Sequence, residues 1–173
     1  MDTFRGTVYW FTGLSGAGKT TLGQLFYRHI KGQKPNVVFL DGDVMREACE
    51  DDLGHSVEDR KKSGRRKGRV CKMLADQGID VVCSTISMFE ECYQWNRKNI
   101  ENYREIYVQV PFEILVARDS KGLYEKALNG RIENVWGVDL KAEEPKEPDA
   151  VVNNDGSKVP EDMVRGLLKI LRI

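Results

Sequence analysis

Behind the apolar run VYWF (8–11) comes GLSGAGKTT (13–21), and no other stretch of the chain limits the fold so tightly. It satisfies G-x-x-x-x-G-K-S/T at Gly13, Gly18, Lys19 and Thr20. Glycines lack a Cβ, so successive backbone N–H groups can converge on phosphate oxygens, and the positive end of a following helix adds to the attraction. In such a loop a lysine at position 19 reaches the β- and γ-phosphates, and a threonine hydroxyl at position 20 is placed to ligate Mg²⁺. A loop of this kind belongs between a buried strand and a helix, and VYWF with the Leu22, Leu25, Phe26, Ile30 periodicity supplies both.

The remaining apolar runs repeat the alternation. NVVFLD (36–41), IDVVCST (79–85), EIYVQV (105–110) and AVVNND (150–155) read as strands. Between them, a capping pair at Ser56 and Asp59 opens a helix that runs to about Gln77, where Gly78 stops it. Residues 88–104 look helical, PFEILVARD is a short helix led by Pro111, and Pro160 opens an amphipathic C-terminal helix. DGD (41–43) reads as a turn. Residues 119–148 are polar, glycine-bearing and proline-rich toward their end, which predicts a mobile, partly helical excursion. Alternating strands and helices predict a parallel sheet covered on both faces. With 173 residues and no linker or repeat, one domain spanning 1–173 is expected.

Composition narrows the function classes. Lys plus Arg equals Asp plus Glu, 27 against 27, so a nucleic-acid role is not expected from bulk charge. No apolar run is long enough for a membrane span, and the amino terminus does not read as a signal peptide. Four cysteines without a C-x-x-C pair suit reduced thiols, and a cytoplasmic location is expected. A regulatory GTPase would need an N-K-x-D element, which the sequence lacks.

Two features suggest what receives the phosphate. Asp41 and Asp43 leave the second strand at the edge of the sheet that faces the glycine loop, where a carboxylate can take a proton from a hydroxyl or help hold Mg²⁺. The run Arg60 to Arg69 holds seven basic residues. Its simplest reading is a solvated helix face; guanidinium groups of Arg60 with Arg65 or Arg66, forked onto a substrate anion, are the alternative.

GLSGAGKTT, LDGDVMR, DLGHSVEDR and RDSKGLYEKALNGRIENVWGVD followed by EEPKEPD resemble, in order and over nearly the whole chain, the adenylylsulfate kinase (APS kinase) family. The resemblance implies a P-loop kinase fold, a three-layer α/β/α sandwich with a central parallel sheet and a lid at about 119–148. It implies transfer of the γ-phosphate of MgATP to the ribose 3′-hydroxyl of adenosine 5′-phosphosulfate (APS), a step of sulfate activation and assimilation, by an enzyme that commonly dimerises. Gly13, Ser15, Gly16, Ala17, Gly18, Lys19, Thr20 and Thr21 would then hold ATP, with Arg118 over its adenine. Thr20 and Asp41 would hold Mg²⁺, and Asp41 or Asp43 would activate the hydroxyl beside Lys19 and Lys121. Asp43, Arg46, His55, Arg60, Ser63, Ile86, Ser87, Lys121, Gly122, Leu123 and Trp136 would form the acceptor side.

The acceptor side also departs from the family pattern. The family's D-L-G-F-S has His55 for its phenylalanine, D-R-x-x-N has Ser63 for its asparagine, and S-P-Y becomes Ser87, Met88, Phe89. Trp136 stands at a usual phenylalanine that stacks on the acceptor base. APS is the leading acceptor. Another 5′-activated nucleotide, cytidine diphosphoramidate in capsule assembly, is the alternative, and a nucleotide-binding module without catalysis is a third reading.

Overall fold

A computed structural model describes residues 4–50, 52–119 and 121–173. The reading of the first three residues and one position of the expected lid, 120, lie outside the described residues.

VYWF forms β1 (Val8–Thr12), buried at every position. The period of two in a strand sends alternate side chains to opposite faces. Tyr9 and Phe11 accordingly join Leu22, Phe26 and Ile30 of α1 (Lys19–Gln33). Val8 and Trp10 turn the other way, onto Cys71 and Ala75 of α3 (Val57–Ala75). One strand therefore seeds both layers of the sandwich.

The sheet is parallel throughout, in the order β2 (Val37–Asp41), β3 (Asp80–Ser84), β1, β4 (Tyr103–Gln109), β5 (Ala150–Asn153). The chain steps outward from β1 first to one edge and then to the other. The carboxyl end of β1 is thus the switch point, where an open α/β sheet forms its crevice. α4 (Glu90–Asn99) lies beside α3, while α7 (Pro160–Leu171) packs on α1. The proposed Ser56 cap is present: Ser56 Oγ accepts the Asp59 N–H at 3.1 Å. No helix among the described residues is long and apolar enough to cross a membrane.

Two expectations need correcting. DGD does not end as a turn: Asp41 is the N-cap of a short helix, α2 (Gly42–Ala48), its carboxylate accepting the Asp43 N–H at 2.9 Å. The helix expected over 88–104 ends at Asn99, and β4 begins two residues earlier than expected, because Tyr103 pairs with Val8 and is buried beneath the sheet.

The expected excursion leaves α5 (Phe112–Arg118), forms α6 (Leu123–Leu128) and returns to β5 through a pinned tail. At that tail Arg97 donates to the Glu147 carbonyl at 2.6 Å and meets Glu105 and Asp149 at 3.3 and 3.4 Å. Glu105 is buried, which raises its carboxyl above the usual range against the pull of Arg97 and Tyr103.

α3 approaches α4 closely through glycine. A Cβ built at Gly68 would stand 2.4 Å from Asn96 Oδ1, and Asn96 is itself buried and donates to Tyr103 Oη. Overpacking of about 1–3 kcal/mol opposes a helix-propensity gain of about 1 kcal/mol. Gly68→Ala is expected to lose about 1 kcal/mol in urea unfolding; a more stable variant would show that the two helices can part.

Candidate active site

The glycine loop is held open by its neighbours. Gly13 has φ 152°, and a Cβ there would lie 2.4 Å from the Val108 carbonyl, so a larger residue is barred by both conformation and space. Just after β5, Asn154 Nδ2 donates to the Ala17 carbonyl at 2.8 Å. From α6, Tyr124 Oη donates to the Ser15 carbonyl at 2.8 Å. Both braces take loop carbonyls, which fixes the peptide planes whose N–H groups a phosphate needs.

Lys19 is enclosed, 9% exposed, with Nζ donating to the Leu14 carbonyl at 2.7 Å. Burial lowers its pKa to about 8, while Asp43 and Asp41 oppose the shift. An ammonium in this state gains a strong partner when a phosphate arrives.

The two aspartates occupy different chemical positions. Asp41 Oδ2 accepts the Thr20 hydroxyl at 2.8 Å, joining the strand end to the first turn of α1. Asp43 lies beyond, exposed, with Lys121 Nζ 3.4 Å from its carboxylate. Asp41 therefore belongs with the nucleotide loop, and Asp43 with the side covered by the excursion. A threonine hydroxyl and a carboxylate are hard oxygen donors, the kind Mg²⁺ takes alongside substrate phosphates. The donor set fits that ion.

On the opposite wall, Arg46 donates to the carbonyls of Leu53 and, at 3.4 Å, Gly54. Arg60 Nε donates to the His55 carbonyl at 3.0 Å and its Nη2 to the Asn134 carbonyl at 2.7 Å, tying α3 to the excursion. Thr12 Oγ1 donates to the Ile86 carbonyl at 2.6 Å. Ser87 follows with φ 30°, a conformation rare outside glycine, its Oγ 2.9 Å from Thr85 Oγ1. Arg118 lies against the turn after β5, where a Cβ on Gly156 would be 3.5 Å from its Nη2. Gly122 caps α6 at φ 61°, and Leu123 is its first residue, half-buried.

Several expectations change on this wall. Arg65 is committed to Glu58 and Glu91, each at 2.9 Å, and Arg66 forks onto Asp52 at 2.8 Å twice. Neither is the anion fork that the basic run suggested. Trp136 is 3% exposed, edge-on to Phe89 at 4.7 Å, with the Arg60 guanidinium 6.0 Å from its ring centre. Stacking on a base would require that ring to be uncovered. His55 is exposed. Sequence reasoning passed over Asn154, Tyr124 and Lys67; for the last, the only signal was its place four residues after Ser63.

A braced glycine loop, an enclosed lysine, two acidic side chains at the switch point and a covering segment define a P-loop phosphotransferase. A sequence model of the adenylylsulphate kinase family matches residues 5–153. The chain belongs to that family, and it is a nucleotide-binding kinase. It is 44% identical to the cytidine diphosphoramidate kinase of Campylobacter jejuni, over 96% of each chain. It is 41% identical to the adenylyl-sulfate kinase of Halothermothrix orenii, over 93% of this chain and 87% of that one. The Mycobacterium tuberculosis APS kinase in complex with AMPPNP and APS superposes with a TM-score of 0.88 at 32% identity, covering 98% of this chain and 99% of that one.

Lys19 makes nucleotide binding depend on pH. Below about 8 it already carries its proton. Above that, in the free protein, each binding event must bring a proton. ATP affinity is expected to fall as pH rises past about 8, with proton uptake visible by calorimetry in buffers of different ionisation heat. Lys19→Met should flatten the profile and weaken binding by at least about tenfold. An unchanged affinity from pH 7 to 10 in the native chain would contradict the assignment.

Proposed function

We propose that this enzyme uses MgATP to phosphorylate the ribose 3′-hydroxyl of a 5′-activated nucleotide, with cytidine diphosphoramidate as the acceptor. The observation that carries the acceptor is the state of its side of the site. His55, exposed, offers less apolar surface than a phenylalanine for a purine to stack on, and Trp136 is packed away against Phe89. A cytosine asks less of such a platform than an adenine. The Campylobacter relative, named for that substrate, supports the choice. APS is the second reading, favoured by the family match and the Halothermothrix relative, and it would place the enzyme in sulfate activation. The retained Lys19, Thr20, Asp41, Asp43 and Lys121 argue against a module without catalysis.

Phosphoryl transfer needs positioning and neutralisation of charge more than covalent chemistry. Asp43 accepts the 3′-hydroxyl proton as the oxygen attacks the γ-phosphorus; the bond to the β–γ bridging oxygen breaks, and ADP leaves. Lys121, 3.4 Å from Asp43, neutralises the phosphoryl group in transit once the covering segment is down. Lys19 holds the β- and γ-phosphates. Thr20 and Asp41 would hold Mg²⁺, which when bound supplies further charge neutralisation. The segment from 119 to 148 excludes water that would otherwise take the phosphoryl group. The same reading carries a single domain, a cytoplasmic location and a homodimer, the last open to analytical ultracentrifugation.

Two measurements test this. Given ATP with either cytidine diphosphoramidate or APS, kcat/KM is expected to favour the cytidine compound; a strict preference for APS would select the second reading. Asp43→Asn is expected to lower kcat by at least about 100-fold with ATP affinity kept. Asp41→Asn is expected to raise the Mg²⁺ requirement first. A reversal of those two phenotypes would exchange the roles.

A further inference from the structure

The basic run of α3 resolves into side chains with different fates. Arg65 and Arg66 are satisfied by carboxylates, and Lys61 lies 3.4 Å from Glu91. Lys67 differs from these. It is half-buried and lines a small cleft between α2 and α3 together with Arg46, Ser63 and Leu53. Among the described residues it forms no ion pair, and its ammonium makes one hydrogen bond, to Ser63 Oγ at 2.9 Å. An ammonium carries three donors.

Taking a cation out of water without a counter-ion is costly, and a ligand that supplies one recovers that cost. Burial pushes the Lys67 pKa down and nearby Arg46 acts in the same direction, while Cys83, Asp43 and Cys92 oppose. Arg46, engaged by the Leu53 and Gly54 carbonyls, and Asp52, engaged by Arg66, line the same cleft, and the Lys67 ammonium there still has donors for an anion.

The position itself is informative. The family pattern has an amide where this chain has Ser63, and a serine cannot reach as far. Lys67 follows by one helical turn, so the two side chains share a face of α3. The hydroxyl steadies the ammonium, and a charged donor occupies space that a neutral amide would serve. A phosphoryl end concentrates charge on its oxygens, whereas a sulfuryl end spreads one charge over three weakly basic ones. An ammonium discriminates between them more strongly than an amide does.

We propose that Lys67, held by Ser63, binds the 5′-diphosphate-type group of the acceptor nucleotide and biases the enzyme toward acceptors that end in a phosphoryl rather than a sulfuryl group. This rests on the reading of the enzyme as a kinase of 5′-activated nucleotides and names the residue that selects among them. Lys67 is a specificity residue and touches none of the bonds that change.

The test is calorimetric binding of cytidine 5′-diphosphate and of APS to the full chain with MgADP present, for the native protein, Lys67→Met and Lys67→Arg. Lys67→Met is expected to weaken cytidine 5′-diphosphate by about tenfold or more and APS by about threefold or less, with ADP affinity unchanged. Lys67→Arg should recover most of the loss. Melting temperature serves as the folding control and should hold or rise in Lys67→Met, because a desolvated charge has gone. Equal binding of cytidine 5′-diphosphate by native and Lys67→Met protein would overturn the role, and equal losses for both nucleotides would overturn the bias. A native protein that binds neither nucleotide would remove the acceptor reading and this role together. One that binds cytidine 5′-diphosphate through Lys67 yet phosphorylates no acceptor would remove the reaction and leave the role standing.

Discussion

The hydrogen bond from the Thr20 hydroxyl to Asp41, 2.8 Å long, joins two successive crossovers of the fold. Thr20 lies in the first turn after the glycine loop, and Asp41 ends the next strand in the chain, two places away across the sheet. Only a parallel arrangement brings both carboxyl-terminal strand ends to one edge. Once they meet there, the rest follows from short connections. Asp41 caps α2, α2 carries Asp43 and Arg46 along the wall opposite the glycine loop, and Lys121 reaches over to Asp43 from the other side.

The nucleotide half and the acceptor half are built on different principles. The nucleotide half is main chain held from outside: Asn154 and Tyr124 grip loop carbonyls, and Gly13 permits a backbone contact that no other residue would fit. Such a cradle reads charge and shape and tolerates little change. The half proposed to take the acceptor is made of side chains, with His55, Ser63 and Lys67 on α3 and the loop before it, under the covering segment. On that reading a single substitution there would retune recognition without disturbing the sheet, in keeping with relatives named for different nucleotides.

The strands, their order of appearance and the glycine loop could be read from the chain because each depends on local signals: apolar runs, glycine spacing, and a serine cap at position 56. α2 could not. None of its residues is buried, so no apolar stripe marks it, and it is fixed at its start by the Asp41 carboxylate. The partners of Arg65 and Arg66 were equally hidden, since Asp52 and Glu91 lie 14 and 26 residues away in sequence. Lys67 looks like its neighbours in a basic run, and only the fold distinguishes a lysine in a cleft from one in solvent. Trp136 was legible as a large aromatic in a loop, but which surface would cover it depended on Phe89, 47 residues away at the start of α4.

The grip of Arg97 on Glu105, Glu147 and Asp149 fastens the far end of the covering segment to the sheet at β4 and to the body of α4. A flap clamped along one margin swings about that margin; it cannot lift away whole. On the proposed reaction, product would leave by the near margin, around Asp119 and the left-handed Gly122, peeling back. Opening of that kind would be a local swing that leaves the five strands undisturbed.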